Sequence, residues 1–227
     1  INKDENTLSL PYYTICNIYY DTIDDEIIKK SVSKPSFKEK LRLRCYCNSK
    51  DSDIAFIEIK KKLNGFVNKR RSKISVRDAR QLIDNKVMPL KQDYHNTQVL
   101  NEIYFYVKDK ELVPRIVLSY DRKAYTDIEN PNVRITFDKN IKARRTDLSL
   151  NRSDDDENVL DENFLIMEIK TNASIPLWLT SILTKNQIFS SSFSKYGTEY
   201  FEYLIENRKE DELCLNPYLI SPVLQSH

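Results

Sequence analysis

Glycine is nearly absent: two occur in 227 residues, Gly65 and Gly197. A glycine-rich phosphate loop or a dinucleotide fingerprint needs several, because there the backbone itself must approach the phosphates. Any phosphate must therefore be held by side chains. Cysteine (Cys16, Cys45, Cys47, Cys214) and histidine (His95, His227) are also few, and neither C-x-x-C nor H-x-x-x-H spacing occurs. A structural zinc site is not expected from such a set, and the thiols read as reduced, which fits a cytoplasmic protein. No apolar run approaches the ~20 residues that span a bilayer, and no signal peptide is visible. Nor is there an excess of either charge, with 36 Lys and Arg against 34 Asp and Glu. No global field draws the chain to nucleic acid or to an anionic surface, so an anion site has to be local.

What the chain does have is β-forming residues in short runs. Runs rich in Tyr, Ile, Val and Phe at 13–20, 40–46, 55–62, 66–74, 115–125, 133–137 and 164–170 predict strands. Helices are predicted over 75–85 with Ser75 as N-cap, over 96–108, over 177–185 after Pro176, and over 194–207. In the last of these, Tyr196, Tyr200, Tyr203 and Leu204 recur at helical spacing and read as core. Strands and helices in this order predict a single α+β domain over 1–227 with an antiparallel sheet, ending in an extended tail over 208–227. There is no internal repeat. The "NRSDDDEN" stretch at 151–158 reads as a solvated acidic turn, since the calcium-loop spacing and its glycine are missing.

The strands share one unusual pattern. In "EKLRLRC", Lys40, Arg42 and Arg44 alternate with Leu41 and Leu43, and successive strand side chains point to opposite faces. The same separation recurs in "FIEIKKK" (Glu58, Lys60, Lys62 against Ile57, Ile59) and "VRITFD" (Arg134, Thr136, Asp138 against Val133, Ile135, Phe137). It recurs again in "SYDRKAY" (Tyr120, Arg122) and "IMEIK" (Glu168, Lys170 against Met167, Ile169). Two arrangements fit: an open sheet with a wet charged face, or a sheet closed into a barrel with the cations in its lumen and the helices packed outside. A lumen of like charges implies a polyanionic guest, and Arg and Lys suit phosphate oxygens. The lone carboxylates, Glu58 and Glu168, then suit a divalent metal that bridges phosphates. The basic run at 68–73 has only Phe66 as an aromatic neighbour, so no nucleic-acid partner is expected.

These segments carry a resemblance. "YYTICNIYYDT", "FKEKLRLRCY", "FIEIKKKLNGFVNKRR", "SYDRKAYTD", "NVRITFDKNIKAR", "LIMEIKT" and "SFSKYGTEY" follow one another as in VTC domains, the polyphosphate polymerases of the CYTH or triphosphate tunnel superfamily. The chain resembles the bacterial branch of that family over 12–203. The resemblance implies an antiparallel tunnel barrel that binds ATP, triphosphate or pyrophosphate and inorganic polyphosphate with Mn2+ or Mg2+. It implies catalytic cations at Arg42, Arg44, Lys60, Arg122, Arg134 and Lys195, and the metal at Glu168, with Glu58 as a second carboxylate. Lys40, Lys62, Lys69, Arg70, Arg71, Tyr120 and Lys170 are implied as further contributors, and Lys29 or Lys30 as the stand-in for an upstream arginine. The family's first strand is expected ahead of Tyr12, where this sequence has "INKDENTLSLP" after a start at Ile1 without Met. A hydrolase of the same fold and a non-catalytic polyphosphate-binding module remain the alternatives at this stage.

Overall fold

A computed structural model of the chain describes residues 2–3, 12–46, 54–90 and 93–207. The expected tail, and the stretch before Tyr12 apart from residues 2–3, lie outside the described residues. In chain order the elements are β1 (Asn2–Lys3), β2 (Tyr13–Asp21), α1 (Glu26–Val32), β3 (Phe37–Cys45), β4 (Ile54–Leu63), β5 (Phe66–Ser75), α2 (Val76–Asp84) and α3 (Tyr94–Lys108). They continue with β6 (Val113–Thr126), β7 (Arg134–Arg144), β8 (Glu157–Asn158), β9 (Ile166–Lys170), α4 (Leu177–Lys185) and α5 (Lys195–Glu206). Among the described residues all nine strands belong to one antiparallel sheet in the order β5-β4-β3-β2-β6-β7-β8, with β1 on β6 and β9 also on β7.

The expected α+β class with an antiparallel sheet is what the chain adopts. Closure by hydrogen bonds is not seen among the described residues: the strand order is linear, and no ladder joins β5 to β9.

The alternation decides which face is buried. Leu41, Leu43, Ile57 and Ile59 are 0–1% exposed and pack with Ala79, Leu82 and Ile83 of α2 and Leu100 and Ile103 of α3. Helix α2 starts where the Ser75 hydroxyl accepts the Asp78 N–H (3.0 Å), and α3 where Asp93 accepts from Asn96 N (2.8 Å). On the same side, α4 inserts Leu179 against Val133 and Ile135.

Helix α5 does something different. Its Tyr196, Tyr200 and Leu204 pack with Ile15, Tyr19, Ile116, Leu118 and Tyr120. Those residues share the charged face, because Asn17 is paired with both Arg44 and Leu118 and Ile15 with Tyr120. One helix therefore covers part of the charged face, whereas the sequence placed the helices on the other side.

Helix α1, absent from the sequence expectations, is held by Asp21, whose carboxylate accepts the Ile27 and Ile28 N–H groups. The acidic turn is also less solvated than expected. Asp154 and Asp155 are exposed, but Asp156 is buried against the Arg144 guanidinium, which also donates to the carbonyls of Asp147, Ser149 and Asn151.

Candidate functional site

Antiparallel pairing lines up the charged face in rows across the sheet. Arg71, Glu58, Arg42 and Tyr19 form one row, and Lys69, Lys60 and Lys40 form the next. Beyond the centre, Arg122 stands opposite Asp138, Thr136 opposite Glu168, and Arg134 opposite Lys170.

Two ionic clusters occupy this face. In the first, Glu58, 1% exposed, takes Arg42 at 2.6 Å and Lys69 at 2.9 Å, with Arg44 at 3.8 Å. Arg42 also donates to the Tyr19 hydroxyl (2.9 Å) and Arg44 to the Asn17 side chain (3.1 Å). Burial alone would raise the Glu58 carboxyl, but Arg42, Arg44 and Lys69 outweigh it and hold it at about 2. Burial, reinforced by Arg42 and Arg44 against the pull of Glu58, brings the Lys69 ammonium down to about 8. Lys40, half-buried over the Tyr196 ring at 5.5 Å, also falls to about 8, by burial first and through Lys38 and Lys60 beside it.

In the second cluster Asp138, 1% exposed, accepts both arms of Arg122 (2.7 and 2.8 Å) and the Lys195 ammonium (2.8 Å) from the start of α5. Burial opposes ionisation of Asp138, yet Arg122 and Lys195 prevail and its carboxyl sits below the usual range.

Tyr120 joins the two clusters. Its hydroxyl accepts from Arg44 (3.1 Å), while its ring lies 5.2 Å from Arg122 and 4.7 Å from Lys195.

Glu168 is placed otherwise than Glu58. Its side chain is 46% exposed, 3.8 Å from Arg122 and 3.4 Å from Lys170. Its carboxyl lies below the ordinary value because these cations, Lys170 first, outweigh burial. Among the described residues no group of three or more His, Cys, Asp and Glu is gathered for a metal. A divalent ion here would rely on one carboxylate and on ligand oxygens, which is how Mg2+ is commonly held beside phosphates. Glu168 fits that part, being half open to solvent, whereas Glu58 is enclosed by Arg42, Arg44 and Lys69.

The other implied residues scatter more. Lys62 stands opposite Lys38 at the far end of the charged face, and Arg71, exposed, lies over the Phe56 ring. Arg70 is on the opposite face, 3.5 Å from Glu102 of α3. Lys29 and Lys30 sit on helix α1 instead of a strand, with Lys30 5.9 Å from the Phe37 ring. Sequence reasoning gave no role to Asp138, Tyr19 or Asn17. The alternation does put Asp138 on the charged face, but only the β6–β7 register identifies Arg122 as its partner.

No curated protein matches the chain. Two solved structures are similar at low identity. A candidate adenylate cyclase from Bacillus halodurans is 14% identical over 84% of this chain and 81% of that one, with a TM-score of 0.48. A candidate adenylyl cyclase from Hippeastrum with a dominant triphosphatase activity is 17% identical over 82% of this chain and 81% of that one, with a TM-score of 0.46. The model of the VTC domain family matches residues 3–202. With 200 of its 227 residues so matched and its cations ranked on one sheet face, the chain belongs to the VTC domain family.

Proposed function

We propose that the charged face binds polyanionic phosphate and that the protein is a metal-dependent polyphosphate polymerase, moving the γ-phosphate of ATP onto a growing polyphosphate chain. The observation that carries this reading is the imbalance of the two clusters: Arg42, Arg44, Lys69, Arg122 and Lys195 stand against two fully buried carboxylates, Glu58 and Asp138. Such an arrangement gains from an anionic guest, and family membership supports phosphate as that guest.

In this mechanism the Arg42, Arg44 and Lys69 side holds one stretch of the phosphates and the Arg122 and Lys195 side the next, with Tyr120 between them. A terminal oxygen of the acceptor chain attacks the γ-phosphorus, a new P–O bond forms, and ADP leaves with the electrons of the broken bond. Phosphoryl transfer asks little covalent help of a protein; positioning and charge neutralisation supply most of the effect. Because Glu58 and Asp138 fix the guanidinium groups beforehand, the cations need little reorganisation, which is worth several kcal/mol in favourable sites. A Mn2+ or Mg2+ ion, when bound, supplies further neutralisation of the phosphate oxygens, and Glu168 is the side chain to hold it. Glu58, held at about 2, is too weakly basic to activate a water.

The test is product analysis after incubating the protein with ATP and Mn2+. Chains longer than the substrate support the polymerase, whereas orthophosphate alone refutes it and leaves a hydrolase. Glu168→Gln should raise the Mn2+ concentration at half-maximal rate by about tenfold or more, since even the loss of a group that only supports a metal ligand costs about that much, with excess Mn2+ restoring part of the rate. An unchanged midpoint would leave Glu168 as a counter-charge to Lys170.

A further inference from the structure

The charged face carries, at one end, aromatic rings that neither ionic cluster uses. Phe56 stands opposite Arg44 on one side and Lys73 on the other, and Tyr13 stands opposite Arg122. Residues paired across strands share a face, so both rings lie on the charged side. The Tyr46 ring, just past the end of β3, bridges them at 6.3 Å from Phe56 and 5.8 Å from Tyr13. Neither contact is a parallel stack, since the ring planes meet at 87° and 51°. Tyr46 is 44% exposed, which leaves ring surface open to a flat guest.

These rings are not there to seat a helix. Helices α2 and α3 pack on the opposite face, and α5 packs on the β2 and β6 part of this one. Tyr46 and Phe56 belong to none of the packed apolar clusters among the described residues. Cations begin directly beside them. Arg44 and Lys73 flank Phe56 in its own row, Arg42, Glu58 and Arg71 make up the next, and the Arg71 guanidinium lies 5.0 Å over the Phe56 ring. Rings followed by cations are complementary to a molecule built as a flat base followed by phosphates.

We propose that Tyr46, Phe56 and Tyr13 form a stacking platform for the base of the nucleoside triphosphate, with Arg71 at its edge and Arg44 and Lys73 receiving the phosphate nearest the ribose. The proposal rests on the reading of this face as a phosphate site and adds a base subsite to it. Stacking uses the π face that every base has, so the platform holds the nucleoside without selecting adenine, and ATP and GTP should bind alike.

The experiment is calorimetric titration with ATP and with tripolyphosphate, both with EDTA present so that no turnover intervenes. Tyr46→Ala is expected to lose about tenfold in affinity for ATP and to keep its affinity for tripolyphosphate. Tyr46→Phe, which retains the ring, should bind both ligands as wild type does. Trp178 is the chain's one tryptophan; in a Trp178→Phe background, Tyr46→Trp should have its emission quenched by ATP and unaltered by tripolyphosphate. The proposal is overturned if Tyr46→Ala binds ATP as tightly as wild type, or if it loses both ligands equally, which would assign the rings to support of the cations. Wild type that binds tripolyphosphate but not ATP overturns the base subsite and leaves the phosphate reading standing. Wild type that binds neither overturns the phosphate reading and the subsite with it.

Discussion

Leu43→Asp is expected to abolish cooperative folding. Leu43 is 0% exposed, between Arg42 and Arg44 on the strand but turned to the other side, where it packs in the core beneath α2 and α3. A carboxylate there finds no cation, because every basic neighbour on β3 faces the opposite way, and an unpaired buried charge is among the few single changes that cost more than ~4 kcal/mol. Small domains have on the order of 5–15 kcal/mol in total. Leu43→Met, which conserves volume, should cost less than about 1.5 kcal/mol. Circular dichroism melts of the two variants provide the check. A soluble Leu43→Asp protein with a sharp transition would mean that the two faces of β3 are interchanged.

The second large effect belongs to Glu58. Glu58→Gln removes the one carboxylate among the described residues that Arg42, Arg44 and Lys69 share. Breaking a buried ion pair from one side typically costs ~3–5 kcal/mol, and the lower end applies here because Lys69 reaches solvent.

The pH dependence has a definite sign. The Glu58 carboxyl lies at about 2 in the folded protein against an ordinary 4.5, so its contribution is fully present above about 4.5 and is lost as the pH falls towards 2. That difference corresponds to about 3 kcal/mol of acid-sensitive stability. Glu58→Gln should therefore melt well below wild type at neutral pH and approach it in acid. Tripolyphosphate should stabilise the variant more than it stabilises wild type, because the phosphate replaces the missing negative charge. A variant that melts like wild type at neutral pH would show that Glu58 does not balance these cations, and would leave its oxygens available to a metal.

Much of this architecture could be read from the alternation. It separated Leu41 and Leu43 from Arg42 and Arg44, and Ile57 and Ile59 from Glu58 and Lys60, as the structure does. The cap at Ser75, the helix after residue 194 and the start of α4 after Pro176 were also legible, since each rests on local sequence.

What failed was non-local. Strand β7 reads as ending at Phe137 but continues to Arg144. Asn140 (φ 49°) and a register shift opposite Ser119 and Asp121 interrupt the period of two without ending the ladder. Helix α1 escaped because it has only seven residues and is capped from Asp21, four residues before its own N-cap. At the site, the sequence could place Glu58 and Asp138 on the cationic face. It could not say that Glu58 meets cations from both neighbouring strands, nor that Asp138 meets one from β6 and one from α5. That depends on register and on the packing of Tyr196 and Tyr200, which bring Lys195 to Asp138. The same packing explains why α5 lies on the charged side: Ile15, Ile116 and Leu118 give that face an apolar end that no local pattern announces.

Calorimetric titration with tripolyphosphate shows whether the cationic sheet face binds inorganic phosphate chains. Wild type should bind, and Arg42→Ala and Arg134→Ala should each lose roughly tenfold to a hundredfold in affinity, the worth of one charged hydrogen bond or two. Lys185→Ala, at the exposed end of α4, should bind as wild type does. Equal affinity for wild type, Arg42→Ala and Arg134→Ala, with all three proteins folded, would contradict the assignment of this face to phosphate.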